Sequence, residues 1–215
     1  MTKAEGGMRR QRRAYAPRMP LEQRRRQLLD AALALIVREG YAGLTVDAIA
    51  QEAGVTKPVV YGAYAKLPLL LTALLDRTQS DAVTQLLAAF PQDPRRLTSK
   101  HLAGDIARAW ARAVRENPQT WTPVLVTGAQ TPAPVLDRIE QGREAVRKAL
   151  ADFIGRGRDL DAATARHHLW TAHAVVAAAE HFGRLVLTRP DAITDDELAA
   201  LFDDLVNGLL RAPGR

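Results

Sequence analysis

A chain of 215 residues, 47% hydrophobic and 5% aromatic, can fill one sizeable core or a small domain joined to a medium one, and its abundance of Ala and Leu favours helix over sheet. It has no cysteine, which excludes disulfides, thiolate nucleophiles and Cys-based zinc sites and fits a reducing compartment. The net charge is +6, but residues 1–26 hold nine Lys/Arg against two Glu, so that segment sums to +7 and the remaining residues to −1; a basic arm on a near-neutral body points to a polyanion at one end, or else to a solubilising tail.

Residues 1–20 (MTKAEGGMRRQRRAYAPRMP) show no periodicity and read as a disordered basic arm. No apolar run follows the arginines, so this is not a secretory signal. The spacing predicts a first helix over Leu21–Glu39, with Leu29, Ala32, Leu33 and Ile36 on one stripe and Gly40, as a left-handed residue, closing it. A second helix follows Thr45, an N-cap, with Asp47 in its first turn and Val46, Ile49, Ala50 and Ala53 in the same register; Gly54 ends it. Thr56 caps a third helix running to about Tyr64, with Pro58 in its first turn. A fourth starts near Pro68, carries Leu70, Leu71, Leu74, Leu75, Val83, Leu86 and Leu87, and frays before Pro91.

The rest also reads as helix: Lys100–Glu116, a short piece over Thr120–Thr127, about Pro134–Ile154, Asp161–Thr188, and a last one opened by the capping box TDDE at Thr194–Glu197. The longest uncharged run, Asn117–Leu136, is broken by Pro118, Pro123, Pro132 and Pro134 and cannot be a membrane helix. A soluble, cytoplasmic, all-α protein of about nine helices is expected.

Helices shorter than about 12 residues are marginal alone. Here three can share one core through Leu29, Leu33, Ile36, Ile49, Ala53, Val55 and Val60, which is how a helix-turn-helix places its last helix in a major groove. From about Gln27 to Leu75 the chain resembles the TetR family of transcriptional regulators. The resemblance rests on Leu-Leu-x-Ala-Ala at Leu28–Ala32, on Gly40, on Thr45 with Ile49-Ala50, on Ala53-Gly54-Val55-Thr56, and on Tyr61. Pro58 stands where many members have Gly, and Ala63-Tyr64 replaces a common His-Phe pair. The phosphate-touching Lys of the family aligns with Leu67, which leaves Lys66 as the neighbouring cation.

The resemblance implies three segments: a basic arm (1–20), a helix-turn-helix DNA-binding domain (21–66), and a ligand-binding and dimerisation domain (67–215). On chemical grounds Thr45, Thr56 and Tyr61 suit phosphates. Lys57 suits guanine or a phosphate, Val59 and Ala63 suit thymine methyls, Gly62 permits close approach, and Lys66 reaches a phosphate. Arg9, Arg10, Arg12, Arg13 and Arg18 can track phosphates or enter the minor groove. The competing readings are plain caps for the threonines, solvated charge for the lysines, and core for Tyr64.

Pairing of the last two helices into a homodimer is implied by the resemblance, and with it a palindromic double-stranded operator. So is an apolar pocket for a small-molecule effector, with Trp110, Trp121, Leu125, Trp170 and His173 as candidates against ordinary core packing. Arg143 interrupts an apolar stripe between Ile139 and Val146; it pairs with an acid such as Glu140, snorkels to solvent, or holds an effector carboxylate. No cofactor and no metal is expected: no histidine pair stands at i, i+4 and no HExxH occurs. Nor is an enzyme expected, for want of a nucleophile–base spacing or a Walker loop. The expected function is a repressor released by its effector; an architectural DNA binder without effector is the alternative, and a helical enzyme using Arg143, His173 and Glu180 a more distant one.

Overall fold

A computed structural model describes residues 19–90, 99–156, 159 and 161–211. Among the described residues there are nine α-helices, one 3₁₀ turn and no strand. The helices are α1 Leu21–Glu39, α2 Val46–Glu52, α3 Lys57–Ala63, α4 Leu67–Ala88, α5 Leu102–Glu116, α6 Pro118–Leu125, α7 Ala133–Gly155, α8 Ala162–Thr188 and α9 Asp195–Leu210; the 3₁₀ turn is Tyr41–Gly43. The all-helical class and the N-terminal helix-turn-helix followed by a helical body are as the sequence led one to expect.

Glycine punctuates the head. Gly40 takes φ +71° with ψ −174°, so its positive φ is right but its ψ is extended rather than left-handed helical, and the chain leaves α1 straight into the 3₁₀ turn. Gly54 takes φ +63° and forms the closing motif of α2: its N–H donates to Gln51 and that of Val55 to Ala50. This reversal sets α2 against α3.

One core joins the head to the body. Leu28, Ala32, Leu35 and Ile36 of α1 meet Ile49 and Ala50 of α2, Val60 and Ala63 of α3, Leu70, Leu71, Leu74 and Leu75 of α4, and Val135 and Ile139 of α7. The buried face of α1 is therefore wider than the expected stripe, because α1 is covered on one side by α2 and α3 and on another by α4 and α6. Leu33 is only partly buried. Side chains lock these helices: Gln27 Nε2 donates to the Ala53 carbonyl at 2.8 Å, and Arg77 of α4 pairs with Asp30 of α1 at 2.7 Å.

The body has two further clusters. One gathers Trp110, Val114, Trp121, Leu125 and Val186; the other Ala107, Ala111, Leu198 and Phe202. Helix α6 begins two residues earlier than expected because Pro118 can occupy the first turn, and it ends at Leu125. In α7 the buried pair is Val135 and Ile139, while Leu136 is exposed, so the inward face starts one residue before the expected stripe.

Candidate nucleic-acid interface

Helix α3 has two faces. Val60 and Ala63 point into the core, three residues apart, and anchor the helix on α1 and α2. On the other side Lys57, Val59, Tyr61 and Gly62 face solvent: Val59 is 37% exposed, Tyr61 is 52% exposed, and a Cβ added at Gly62 would meet nothing within 4 Å. Ala63, expected to offer a methyl to thymine, is only 6% exposed and is a core residue instead. The i, i+3 inward pair leaves the intervening Tyr61 and Gly62 outward by helix geometry alone.

Thr45 and Thr56 stand at equivalent places but behave differently. The Thr45 hydroxyl oxygen accepts from the Ala48 N–H at 3.1 Å and caps α2. Thr56 precedes α3 and its carbonyl accepts from Val59 and Val60, yet its side chain makes no cap hydrogen bond, contrary to expectation. The exposed Thr56 hydroxyl is thus available to an incoming acceptor. Lys57 is not a plain solvated charge: its Nζ lies 2.6 Å from Asp47 Oδ1 on α2. Lys66 is exposed at the start of α4. Arg9, Arg10, Arg12, Arg13 and Arg18 lie outside the described residues.

Tyr64 is partly buried against the core, with the Arg25 guanidinium 5.7 Å from its ring centre, and burial pushes its phenol above the usual range. Arg25 Nε also donates to the Ala63 carbonyl at 3.3 Å, which ties the start of α1 to the end of α3. Sequence reading missed Arg25, Gln27 and the role of Asp47 toward Lys57. These contacts cross between helices, and no periodicity signals them.

The body candidates divide. Trp110 and Trp121 are buried edge to face, 5.9 Å between ring centres, with Leu125 beside them. Trp121 Nε1 donates to Gln85 Oε1 of α4 at 2.8 Å. Gly183 of α8 makes room: a Cβ there would sit 2.5 Å from Trp110 and 2.8 Å from Leu125. Trp170 is not part of this cluster. It is 60% exposed on α8, tilted against His173 at 5.2 Å, so it does not line an interior cavity. Arg143 pairs with Glu180 at 2.5 Å and Glu140 at 3.3 Å, so its charge is met within the protein. Two solvent-open clefts, of about 340 Å³ between α4 and α5 and about 590 Å³ between α5 and α9, are lined by other residues, such as Arg112 and His101.

Comparison with known proteins decides the family. Residues 28–65 match the model of bacterial regulatory proteins of the tetR family. Over 152 residues the chain is 30% identical to the HTH-type transcriptional activator FasR of Mycolicibacterium smegmatis, covering 69% of this chain and 67% of that one. The chain belongs to the TetR family. Members of this family are DNA-binding transcription regulators of the helix-turn-helix type.

Solved structures of transcriptional regulators share the fold over nearly the whole length. A TetR-like regulator from Rhodococcus sp. RHA1 superposes with a TM-score of 0.69 at 22% identity, covering 91% of this chain and all of that one. The regulator FadR of Bacillus subtilis, solved with stearoyl-CoA, superposes with a TM-score of 0.62 at 15% identity, covering 88% of this chain and 99% of that one.

Proposed function

We propose that this TetR-family chain is a repressor that binds a palindromic operator as a homodimer and is released by a small molecule held in its body. The observation that carries the reading is the two-faced α3: Val60 and Ala63 fix it rigidly from within, while Lys57, Val59, Tyr61 and Gly62 stand outward on the side that a groove would meet. Rigid support matters because base-edge recognition needs side chains placed by a packed scaffold.

The dimer surface in this reading is the outer face of α8 and α9. Trp170 shares an outward stripe of α8 with Ala177 and His181, with His173 half-buried between them, and Leu201 and Leu210 are exposed on α9. A large exposed aromatic on such a stripe suits helix pairing with a second copy. Two-fold symmetry then sets two α3 edges roughly 34–36 Å apart, one turn of DNA.

The effector site in this reading lies around Trp110, Trp121 and Leu125, between α4, α5, α6 and α8, and opens as α6 shifts. The FadR neighbour with bound stearoyl-CoA supports an apolar occupant of the body. Thr45, Thr56, Tyr61 and Lys66 take phosphates, and Lys57, Val59 and Gly62 meet bases. The arginines of residues 1–20 add phosphate contacts, so deleting residues 1–17 flattens the slope of log affinity against log salt.

Selection of bound duplexes from a random pool tests the reading. An inverted-repeat consensus is expected; recovery of unenriched sequences would instead indicate an architectural DNA binder. The activator name of the Mycolicibacterium relative favours a second reading, in which the bound dimer stimulates transcription. Transcription from a template carrying the selected site, with and without protein, separates the two.

A further inference from the structure

The ammonium of Lys57, first residue of α3, is held 2.6 Å from Asp47 Oδ1 on α2, with 56% and 66% of the two side chains exposed. A carboxylate on a surface that meets phosphates is repulsive to DNA, which calls for a reason for its presence. Thr45 already caps α2, and an exposed first-turn carboxylate adds only a small, salt-screened gain from the helix dipole. Stability is a weak reason as well, since an exposed ion pair contributes little.

We propose that Asp47 is a positioning residue for DNA recognition: it tethers the Lys57 ammonium so that the amine addresses base edges instead of the phosphate backbone. The inference rests on the reading of α3 as the helix that enters the groove. Lysine is a flexible stem ending in a compact charge. Unrestrained, that charge settles on the nearest phosphate, a contact that adds affinity but carries no sequence information. Of its three N–H donors, one directed at Asp47 leaves two for guanine O6 and N7. The same carboxylate repels the backbone of any duplex whose bases give Lys57 nothing to meet. Asp47 therefore lowers affinity for all DNA, and lowers it more for the wrong DNA.

The test compares the wild type, Asp47→Asn, Lys57→Met and the double variant on two duplexes, the wild-type consensus from random-pool selection and its scramble, across a salt series. Asp47→Asn is expected to tighten binding to the scramble and steepen its salt slope by about one. It is also expected to cut the consensus-to-scramble preference about tenfold, with relaxed sequence choice at the same base positions that Lys57→Met relaxes. In the Lys57→Met background, Asp47→Asn should leave the preference unchanged. An equal change of preference with and without Lys57, or no change at all, overturns the proposal while leaving the DNA-reading role of α3 intact. A wild type that selects no consensus removes that role, and the proposal with it.

Discussion

The Tyr41 hydroxyl donates to the Pro123 carbonyl at 2.9 Å, across 82 residues of sequence and inside the buried seam between head and body. Helix α6 stops at Leu125, so the Pro123 carbonyl has no helical N–H to accept from, and Tyr41 supplies the missing donor. The same short helix carries Trp121, bonded to Gln85 of α4, and Leu125, whose carbonyl accepts from Arg184 of α8. The Trp110–Trp121 cluster is thus tied to the head through α6 as well as through α4.

Replacing Tyr41 with Phe keeps the ring and removes the bond. The Pro123 carbonyl is then buried without a partner, and the loss should be about 1–3 kcal/mol in denaturant unfolding. Burial also raises the Tyr41 phenol above its ordinary value of about 10. A raised folded-state value means the unfolded chain loses its proton first, so wild-type stability should fall as pH climbs past about 10. The Phe variant should show a shallower decline over that range.

The two threonines of the turn should separate under mutation. Thr45→Ala removes a cap that is present and should cost about 1 kcal/mol of stability. Thr56→Ala removes a hydroxyl that caps nothing, so its melting temperature should stay near that of the wild type while its DNA affinity drops. Thermal melts beside binding isotherms check the pair.

Gly183→Ala should destabilise the body by about 1–3 kcal/mol, because its Cβ would press into the buried rings of Trp110 and the tip of Leu125. A near-ultraviolet spectrum that registers the tryptophan surroundings should change with it.

Trp170→Glu puts a charge on the exposed stripe of α8 without touching the aromatic cluster of the body. Sedimentation should show dimerisation weakened by about a hundredfold or more, with unchanged helical content. A shift in helical content instead would mark Trp170 as a folding residue.

What the sequence revealed follows from local physics. Helix ends were legible where a proline, glycine or cap fixes them, as at Gly40, Thr45, Gly54 and the Thr194–Glu197 box. The outward placement of Tyr61 and Gly62 followed from the register that turns Val60 inward. What stayed hidden depends on partners far along the chain. Arg143 meets Glu180, 37 residues away, as well as the local Glu140 that spacing suggested. Trp170 shares the apolar character of Trp110 and Trp121, and composition could not show that it faces outward. Ala63, expected to meet a thymine methyl, stands three residues from Val60 and so shares its inward face, which the helical period already implies. For the arm residues Arg9 to Arg18 no structural placement is described.

The most direct measurement concerns the distance between two α3 edges. Affinity is compared for the selected inverted repeat and for the same duplex with five base pairs inserted at its centre, which turns one half-site to the opposite face. A rigid two-fold dimer predicts a loss of about a hundredfold or more, with two protected stretches on one face of the uninterrupted site. Equal affinity for the two duplexes would contradict it.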